Sequence, residues 1–383
     1  MRFSRLRASR AWIAVETLLD QHSHANRILT LGIAAFVGAQ CLIELPDLFR
    51  AFPIGIDFEI PLRAAARWAA GGQPYPAWAM LVQGGPDMPY LYPPFLLPVY
   101  ALVAEAPRAL ATGLWLSAGV GAAVWSCRRL GIPWLAIPVV LAWPPFAEGL
   151  ISGNVQIWSF AAFVALFYEP DGPSVAQRAL VPARDVANGV LSAAVYVFKV
   201  TQALPALYLA RRRPVAAAAG VGAIALLALA MLPLTGVGVY FDWLAQLTRA
   251  SDPNWTIGGV GLGKLIGVPS TLLVAAAVAI ALLARGRDSA AWLGIALLLA
   301  APSIHGHAFL YLLPGIMTVR RDLSLLLAGM FVGVYHGFAW WLAVLMVAYL
   351  LVAGMRWARL RSDWALRAPI ISADVAVPEG GAT

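Results

Sequence analysis

Charged side chains are scarce in this chain. Asp, Glu, Lys and Arg make up 12% of its 383 residues, while 61% are apolar. A water-soluble domain covers itself with about a quarter charged residues, and this sequence cannot build that surface. The mean hydropathy of +0.76 says the same. Two-residue alternation is missing too. The apolar residues come in unbroken runs such as 272–284 and 290–300, which excludes an outer-membrane barrel and points to spanning helices. Cysteine is nearly absent. Cys41 and Cys127 fall near opposite membrane faces in the topology below, so they are expected to pack as small apolar groups and not to form a disulfide. Acidic residues are outnumbered, 19 against 27 basic, for a net charge of +8. The arginines lie as pairs and triplets between apolar runs, with no basic stripe. That is the pattern of cytoplasmic anchors beside membrane lipid, and it argues against a nucleic-acid partner.

The basic clusters set the expected topology. Residues 1–27 carry Arg2, Arg5, Arg7, Arg10 and Arg27 and are read as a cytoplasmic segment. The first span covers about 28–45. No small-residue cleavage site follows it, so it reads as a retained signal anchor. A long, less apolar stretch follows, about 46–107, and is read as the first external loop. Within it, 57–70 is expected to form a short amphipathic helix ended by Gly71-Gly72 and Pro74. The apolar piece 95–104 is flanked by prolines. If it crossed the membrane, Arg128-Arg129 and the later basic clusters would fall outside, so it reads as re-entrant or interfacial. The remaining spans are placed at 108–127, 131–147, 154–168, 186–199, 200–211, 214–234, 268–284, 288–303, 308–319, 322–336 and 337–355. The expected architecture is therefore all-α and polytopic. It has about twelve transmembrane helices across 28–355, a second external loop at about 235–269, and a cytoplasmic, disordered tail over 356–383.

On this topology the unusual polar residues collect on the external face. Asp57, in the sequence PIGIDFEIP, reads equally as a general base or as a helix N-cap. Glu59 is either its helper or a first-turn partner of the helix dipole. Arg63 and Arg67, Tyr92, Asn154 and Gln156, Asp252, Asn254 and Trp255, and His305 and His307 fall on the same side. Lys199 lies inside the apolar stretch AAVYVFKVTQALP. A lysine there is either functional or snorkels to the interface. His305-Gly-His307 has a spacing that two metal ligands can share, but no cysteine or third histidine lies near, so no metal site is expected. Phosphate contact, donor positioning or an interfacial hydrogen-bonded pair remain for it. His336, beside aromatic residues in YHGFAWW, reads as an interfacial anchor. The glycine-rich 258–264 lacks the spacing and the preceding strand of a phosphate-binding P-loop.

Taken in order, these elements resemble one family. Asp57-Phe58 after the first span, Gly71-x-x-Pro74-Tyr75 and Tyr92-Pro93-Pro94 resemble the first external loop of the family-87 glycosyltransferases. These are the polyprenol-phosphate-mannose-dependent group of the C-type (GT-C) membrane glycosyltransferases. Gly153-Asn154-Val155-Gln156 resembles the family's Gly-Gln-x-Asn element with the amides exchanged. Lys199, Gln202 and Pro205 resemble its Lys–Pro segment. Asp252-Pro-Asn254-Trp-Thr256 resembles its Asn-x-Ser loop, and Ser303-Ile-His305-Gly-His307-Ala-Phe309 its late Ser-Pro-x-x-His-x-Tyr element, with Phe309 in the tyrosine place. The resemblance implies a GT-C-like fold and a lipid-linked sugar phosphate as donor, with no cofactor and no divalent metal. It implies mannose by default, a lipid or glycan acceptor, and inversion at the anomeric carbon. Asp57 matches the family's base. His305, His307, Lys199 and Arg63 are then candidates for the donor phosphate, with Arg67 behind Arg63. Glu59, Tyr92, Asn154, Gln156, Asn254 and Trp255 are candidates for sugar or acceptor. The implied location is a bacterial inner (plasma) membrane with both termini cytoplasmic and the active site extracytoplasmic.

Two other classes share the helices. A transporter or lipid flippase predicts internal repeats and a mid-membrane site, and the sequence shows neither. A non-catalytic subunit of an envelope assembly complex predicts a dispensable Asp57. The topology has its own test. A cysteine introduced by Arg129→Cys should react with an impermeant maleimide only after the membrane is opened. Labelling in intact cells would invert the assignment.

Overall fold

The computed structural model describes positions 32, 35, 39, 43, 46 and 49–50, and then 53–82, 85–168, 181–198, 203–250, 261–285, 289–301 and 304–319. The chain divides into compact units Met1–Ala339 and Trp340–Thr383, and every described residue belongs to the first. Among them the structure is helical, without strands. The α-helices are α1 (Ile56–Ala69), α2 (Leu97–Ala104), α3 (Arg108–Arg129), α4 (Ile137–Leu141), α5 (Pro144–Ser152), α6 (Gln156–Phe167), α7 (Val181–Phe198), α8 (Leu204–Arg212), α9 (Pro214–Thr235), α10 (Val237–Ala250), α11 (Leu262–Ile266), α12 (Ser270–Leu283), α13 (Ser289–Ala300) and α14 (Leu313–Val319). Short 3-10 turns at Ala77–Leu81, Pro94–Leu96, Trp134–Ala136 and Gly306–Leu312 join them.

Two of these helices are long and apolar enough to cross a bilayer, α3 and α9 at 22 residues each. At about 1.5 Å per residue each runs about 33 Å, against a hydrocarbon core of about 30 Å. Large apolar side chains stand exposed along both, including Leu110 and Leu114 on α3 and Val221, Leu226 and Leu229 on α9. Such continuous apolar surface suits lipid and not water. The other long apolar helices, α6, α12 and α13, are shorter, so the described residues do not reach the expected count of about twelve spans. The expected span 131–147 is broken into a 3-10 turn, α4 and the start of α5. Pro133, Pro138 and Pro144-Pro145 explain the break, since each removes a helix N–H and crowds the preceding turn. The expected span 308–319 is likewise a 3-10 turn followed by the seven-residue α14. The 3-10 turn at Pro94–Leu96 and α2 together reach about 18 Å, well short of the bilayer. The expected spans 28–45, 322–336 and 337–355 and the tail lie outside the described residues or are described only at scattered positions.

Packing between the apolar helices relies on small residues. Gly189 and Ser192 of α7 meet Ala216 and Gly220 of α9, where the two backbones come together, as expected where lipid supplies no hydrophobic drive and close approach must supply the attraction. The buried centre holds α6, α13 and the 3-10 turn 306–312. Aromatic rings link α5, α6 and the turn: Phe146 to Phe160 at 5.7 Å, Phe160 to Tyr311 at 6.1 Å and Phe163 to Tyr311 at 5.0 Å. Offset and edge-on contacts of this kind fix ring orientation as well as contributing energy. The turn that carries His307 is thereby held against α5 and α6.

The segment from α1 to α2 builds a second cluster from Phe58, Leu62, Tyr75, Tyr90, Phe95, Leu97 and Tyr100, each worth about 1.5–3 kcal/mol where water is excluded. The Tyr75 hydroxyl donates to the Tyr92 carbonyl at 2.7 Å. From α10, Trp243 Nε1 donates to the Leu91 carbonyl at 3.0 Å, and Asp242 accepts from the Gln73 amide at 2.7 Å. While this face of α10 grips the loop, Val237, Phe241 and Leu244 stand exposed on it at i, i+4 and i+7. Helix α1 ends where the sequence places its glycines: Gly71 and Gly72 donate to the carbonyls of Trp68 and Arg67. Ion pairs lock α1 to the start of α3. Glu59 pairs with Arg108 and, at 3.0 Å, with Arg63; Asp87 lies 3.3 Å from Arg63 and 3.7 Å from Arg67.

Burial raises the Glu59 pKa, but its bonds to Arg108 and Arg63 outweigh this and leave it below the ordinary 4.5. A depressed carboxyl pKa adds stability that is complete above the unfolded value and is lost as pH falls through the folded one. Below pH 4.5 the apparent thermal midpoint of the detergent-purified protein should therefore fall less steeply in Glu59→Gln than in the native chain. Parallel acid limbs in the two proteins would remove Glu59 from the lock.

Candidate active site

Asp57 is settled by where α1 begins. The helix starts at Ile56 with Gly55 before it, and no side chain caps it. Asp57 is therefore inside the first turn, and the N-cap alternative falls away. Its carboxylate turns instead to the chain ninety-seven residues on, where Asn154 Nδ2 donates to Asp57 Oδ2 at 2.8 Å. The backbone is tied at the same place, with the Gly55 N–H donating to the Ile151 carbonyl at 2.8 Å. Pro61, one turn later in α1, has no N–H to give to the Asp57 carbonyl.

Asn154 is placed by the way α5 ends. Gly153 sits at φ +71. Its N–H donates to Leu150 and the Asn154 N–H donates to Gly149 at 2.9 Å, the paired bonds of a Schellman cap. A side chain at 153 would be strained at that φ and would press on Phe58 Cβ at 3.2 Å. Asn154 Oδ1 accepts from the Gln156 N–H at 2.8 Å, and this assigns the amide so that its NH2 faces Asp57. Trp115 of α3 closes the corner. Its Nε1 donates to the Gly153 carbonyl at 2.8 Å, and its ring stacks on Phe58 with centroids 4.6 Å apart and planes 11° from parallel. Both ends of the Asn154 amide make bonds within the protein, Oδ1 with the Gln156 N–H and Nδ2 with the candidate base. Gln156 heads α6 with its side chain buried.

Tyr92 lies half-buried near Asp57, with its ring edge-on to Tyr90 at 5.4 Å. Burial pushes its hydroxyl pKa well up, and Tyr100 and the Asp57 carboxylate add to the shift. At neutral pH the hydroxyl keeps its proton and is a donor. Glu59 and Arg63 are committed to the ion pairs of the α1–α3 lock, with Arg63 between Glu59 and Asp87.

The late histidines come to the same helix. His307, buried in the 3-10 turn, places Nδ1 3.1 Å from Glu148 Oε1 on α5. The His305 ring lies parallel to it, with centroids 5.4 Å apart and planes 4° from parallel. Glu148 was not among the residues singled out in the sequence. Its signal is a lone carboxylate in the apolar stretch WPPFAEGLI, six residues before Asn154. Gly149 joins the two halves, since its carbonyl takes the Asn154 N–H and a Cβ on it would lie 3.5 Å from His307 Cβ. The cap that ends α5 therefore presents Asn154 to Asp57, while Glu148, within the same helix, meets His307. Asp57 and the first turns of α3 share one end of that helix, and Arg128-Arg129 stand at the other.

Lys199, Asn254 and Trp255, with Asp252 and His336, lie outside the described residues. Among the described residues no group of three or more His, Cys, Asp or Glu side chains gathers as a metal site. Cys127 is buried and unpaired, while Cys41 is outside the described residues.

No curated protein and no solved structure matches the chain. The family model for glycosyltransferase family 87 matches residues 90–302. That stretch contains Tyr92, Glu148, Asn154 and Gln156, and the hydrogen bond from Asn154 reaches out of it to Asp57. The match covers more than half of the sequence, and the chain is a membrane protein that belongs to glycosyltransferase family 87.

Proposed function

We propose that this glycosyltransferase moves a sugar, mannose by default, from a polyprenyl-phosphate donor to a lipid or glycan acceptor at the external face of a bacterial plasma membrane, with inversion. The observation that carries the proposal is the pair of polar groups on α5. The cap that ends the helix carries Asn154, which orients the Asp57 carboxylate, and Glu148 within the helix meets His307, beside His305. The reaction needs a base beside the acceptor hydroxyl and donors beside the departing phosphate.

In this reading the acceptor oxygen attacks the anomeric carbon from the face opposite the phosphate. Its proton passes to Asp57, and the anomeric carbon–oxygen bond breaks with its electron pair leaving on the polyprenyl phosphate. Asn154 holds Asp57 so that its other oxygen meets the acceptor hydroxyl. His305 and His307 receive the charge developing on the phosphate, where fixed donors act most strongly, with Lys199 and Arg63 as further cations. Tyr92 offers a hydroxyl donor and a ring beside the base. Glu59, Gln156, Asn254 and Trp255 complete the sugar and acceptor contacts. The donor lipid enters sideways, its chain against the exposed apolar faces of the spanning helices.

The test is transfer from radiolabelled polyprenyl-phosphate sugars to membrane acceptors by purified protein. Loss of a general base lowers the rate by about 10²–10⁴-fold, and Asp57→Asn should fall in that range. Asn154→Ala should lose less, because it misorients the base without removing it. Equal transfer by native protein and Asp57→Asn would overturn the assignment of the base.

A further inference from the structure

We propose that Glu148 is the positioning residue for His307, and that the two act as one unit at the donor phosphate; the phosphate role rests on the reading above. Four observations converge. The carboxylate and the imidazole are both buried, with side-chain exposures of 9% and 5%, and meet at 3.1 Å. In the proposed pair Glu148 is the ionised acceptor, which puts the proton of this bond on His307 Nδ1. That fixes the ring so that Nε2 is the nitrogen turned away from Glu148. The residue between the two histidines has no side chain, and a Cβ at Gly306 would fall inside the Glu148 carboxylate. Glycine at 306 is thus explained by Glu148 and not by backbone conformation. The His305 ring lies flat alongside His307 and restricts the remaining freedom of the imidazole.

Glu148 itself is well anchored. It follows Pro144-Pro145 at the start of α5 and neighbours Phe146, which is fully buried against Phe160. The helix that presents it ends in the cap that presents Asn154 to Asp57. One rigid segment therefore sets the direction of the candidate base and, through Glu148, of the imidazole that faces the departing phosphate. A negative partner on Nδ1 favours a positive or strongly donating Nε2, the polarity that a developing phosphate dianion requires. No covalent step is assigned to Glu148.

The experiment compares Glu148→Gln, which keeps the shape and an acceptor oxygen but loses the charge, with His307→Gln and the double variant, using native-like protein in nanodiscs. Orienting partners of this kind are worth about 10–100-fold. Glu148→Gln should lower kcat by that factor, leave KM for the acceptor and the apparent thermal midpoint near native values, and add less than about threefold to the loss in His307→Gln. Gly306→Ala, which displaces the carboxylate while leaving both partners in place, should reproduce the kcat loss. Nitrogen-15 NMR of histidine-labelled protein supplies a readout independent of transfer: the Nδ1 proton of His307 should be present in native protein and perturbed in Glu148→Gln. Native kcat in Glu148→Gln, or a fully multiplicative double variant, overturns the pairing while the donor reading stands. Native protein that transfers no sugar overturns the donor reading, and the His307 spectrum then decides the positioning by itself.

Discussion

The hydrogen bond from Asn154 to Asp57 is the constraint on which the candidate site depends. It joins the first turn of α1 to the junction of α5 and α6, two places with no local reason to meet. Around it the backbone bond from Gly55 to Ile151, the Trp115–Phe58 stack and the Glu59–Arg108 pair act in parallel. Each is modest alone, about 0.5–1.5 kcal/mol for a neutral hydrogen bond and less for an exposed ion pair. Their value is geometric: together they leave the Asp57 carboxylate one orientation.

Helix α5 is short because proline starts it and glycine stops it, and its brevity serves the site. A continuous span through 131–147 would carry the chain across the bilayer and away from α1. Breaking it at Pro133, Pro138 and Pro144 leaves the nine-residue α5, which carries Glu148 within it and ends in the cap that presents Asn154. Freed backbone groups at such depth have to be satisfied by protein, and the Schellman cap at Gly153 does this for the end that matters most.

Much of the segment around α1 was legible in the sequence, because glycine and proline act locally. The helix expected over 57–70 is found at Ile56–Ala69, ending in Gly71-Gly72. Span 108–127 lies within α3 and 214–234 within α9. The broken spans were harder. Apolar residues in 131–147 and 308–319 satisfy any hydropathy window, and only the proline spacing and the aromatic packing of Tyr311 decide against a continuous helix. Within the site, Asp57 and His307 carried a signal through residue type and neighbours. The orienting partners did not. Glu148 and the role of Asn154 depend on contacts 159 and 97 residues apart, and no local pattern encodes a distance of that kind. Glu59 and Arg63 stand out as site residues in the sequence, and the ion pairs they make with each other, Arg108 and Asp87 are visible only in the structure.

Those separations also bear on biogenesis. Asp57 enters the membrane region early in synthesis, yet its orienting amide follows only after ninety-seven more residues, and His307 meets Glu148 only after the chain has passed position 307. A chain elongating at about 5–20 residues per second therefore spends many seconds with the carboxylate in place and no partner for it. An arrested or truncated product ending before α13 retains the acid but has neither half of the histidine pair. The Glu148–His307 contact is therefore a property of a chain grown past position 307, and any fragment released earlier lacks it.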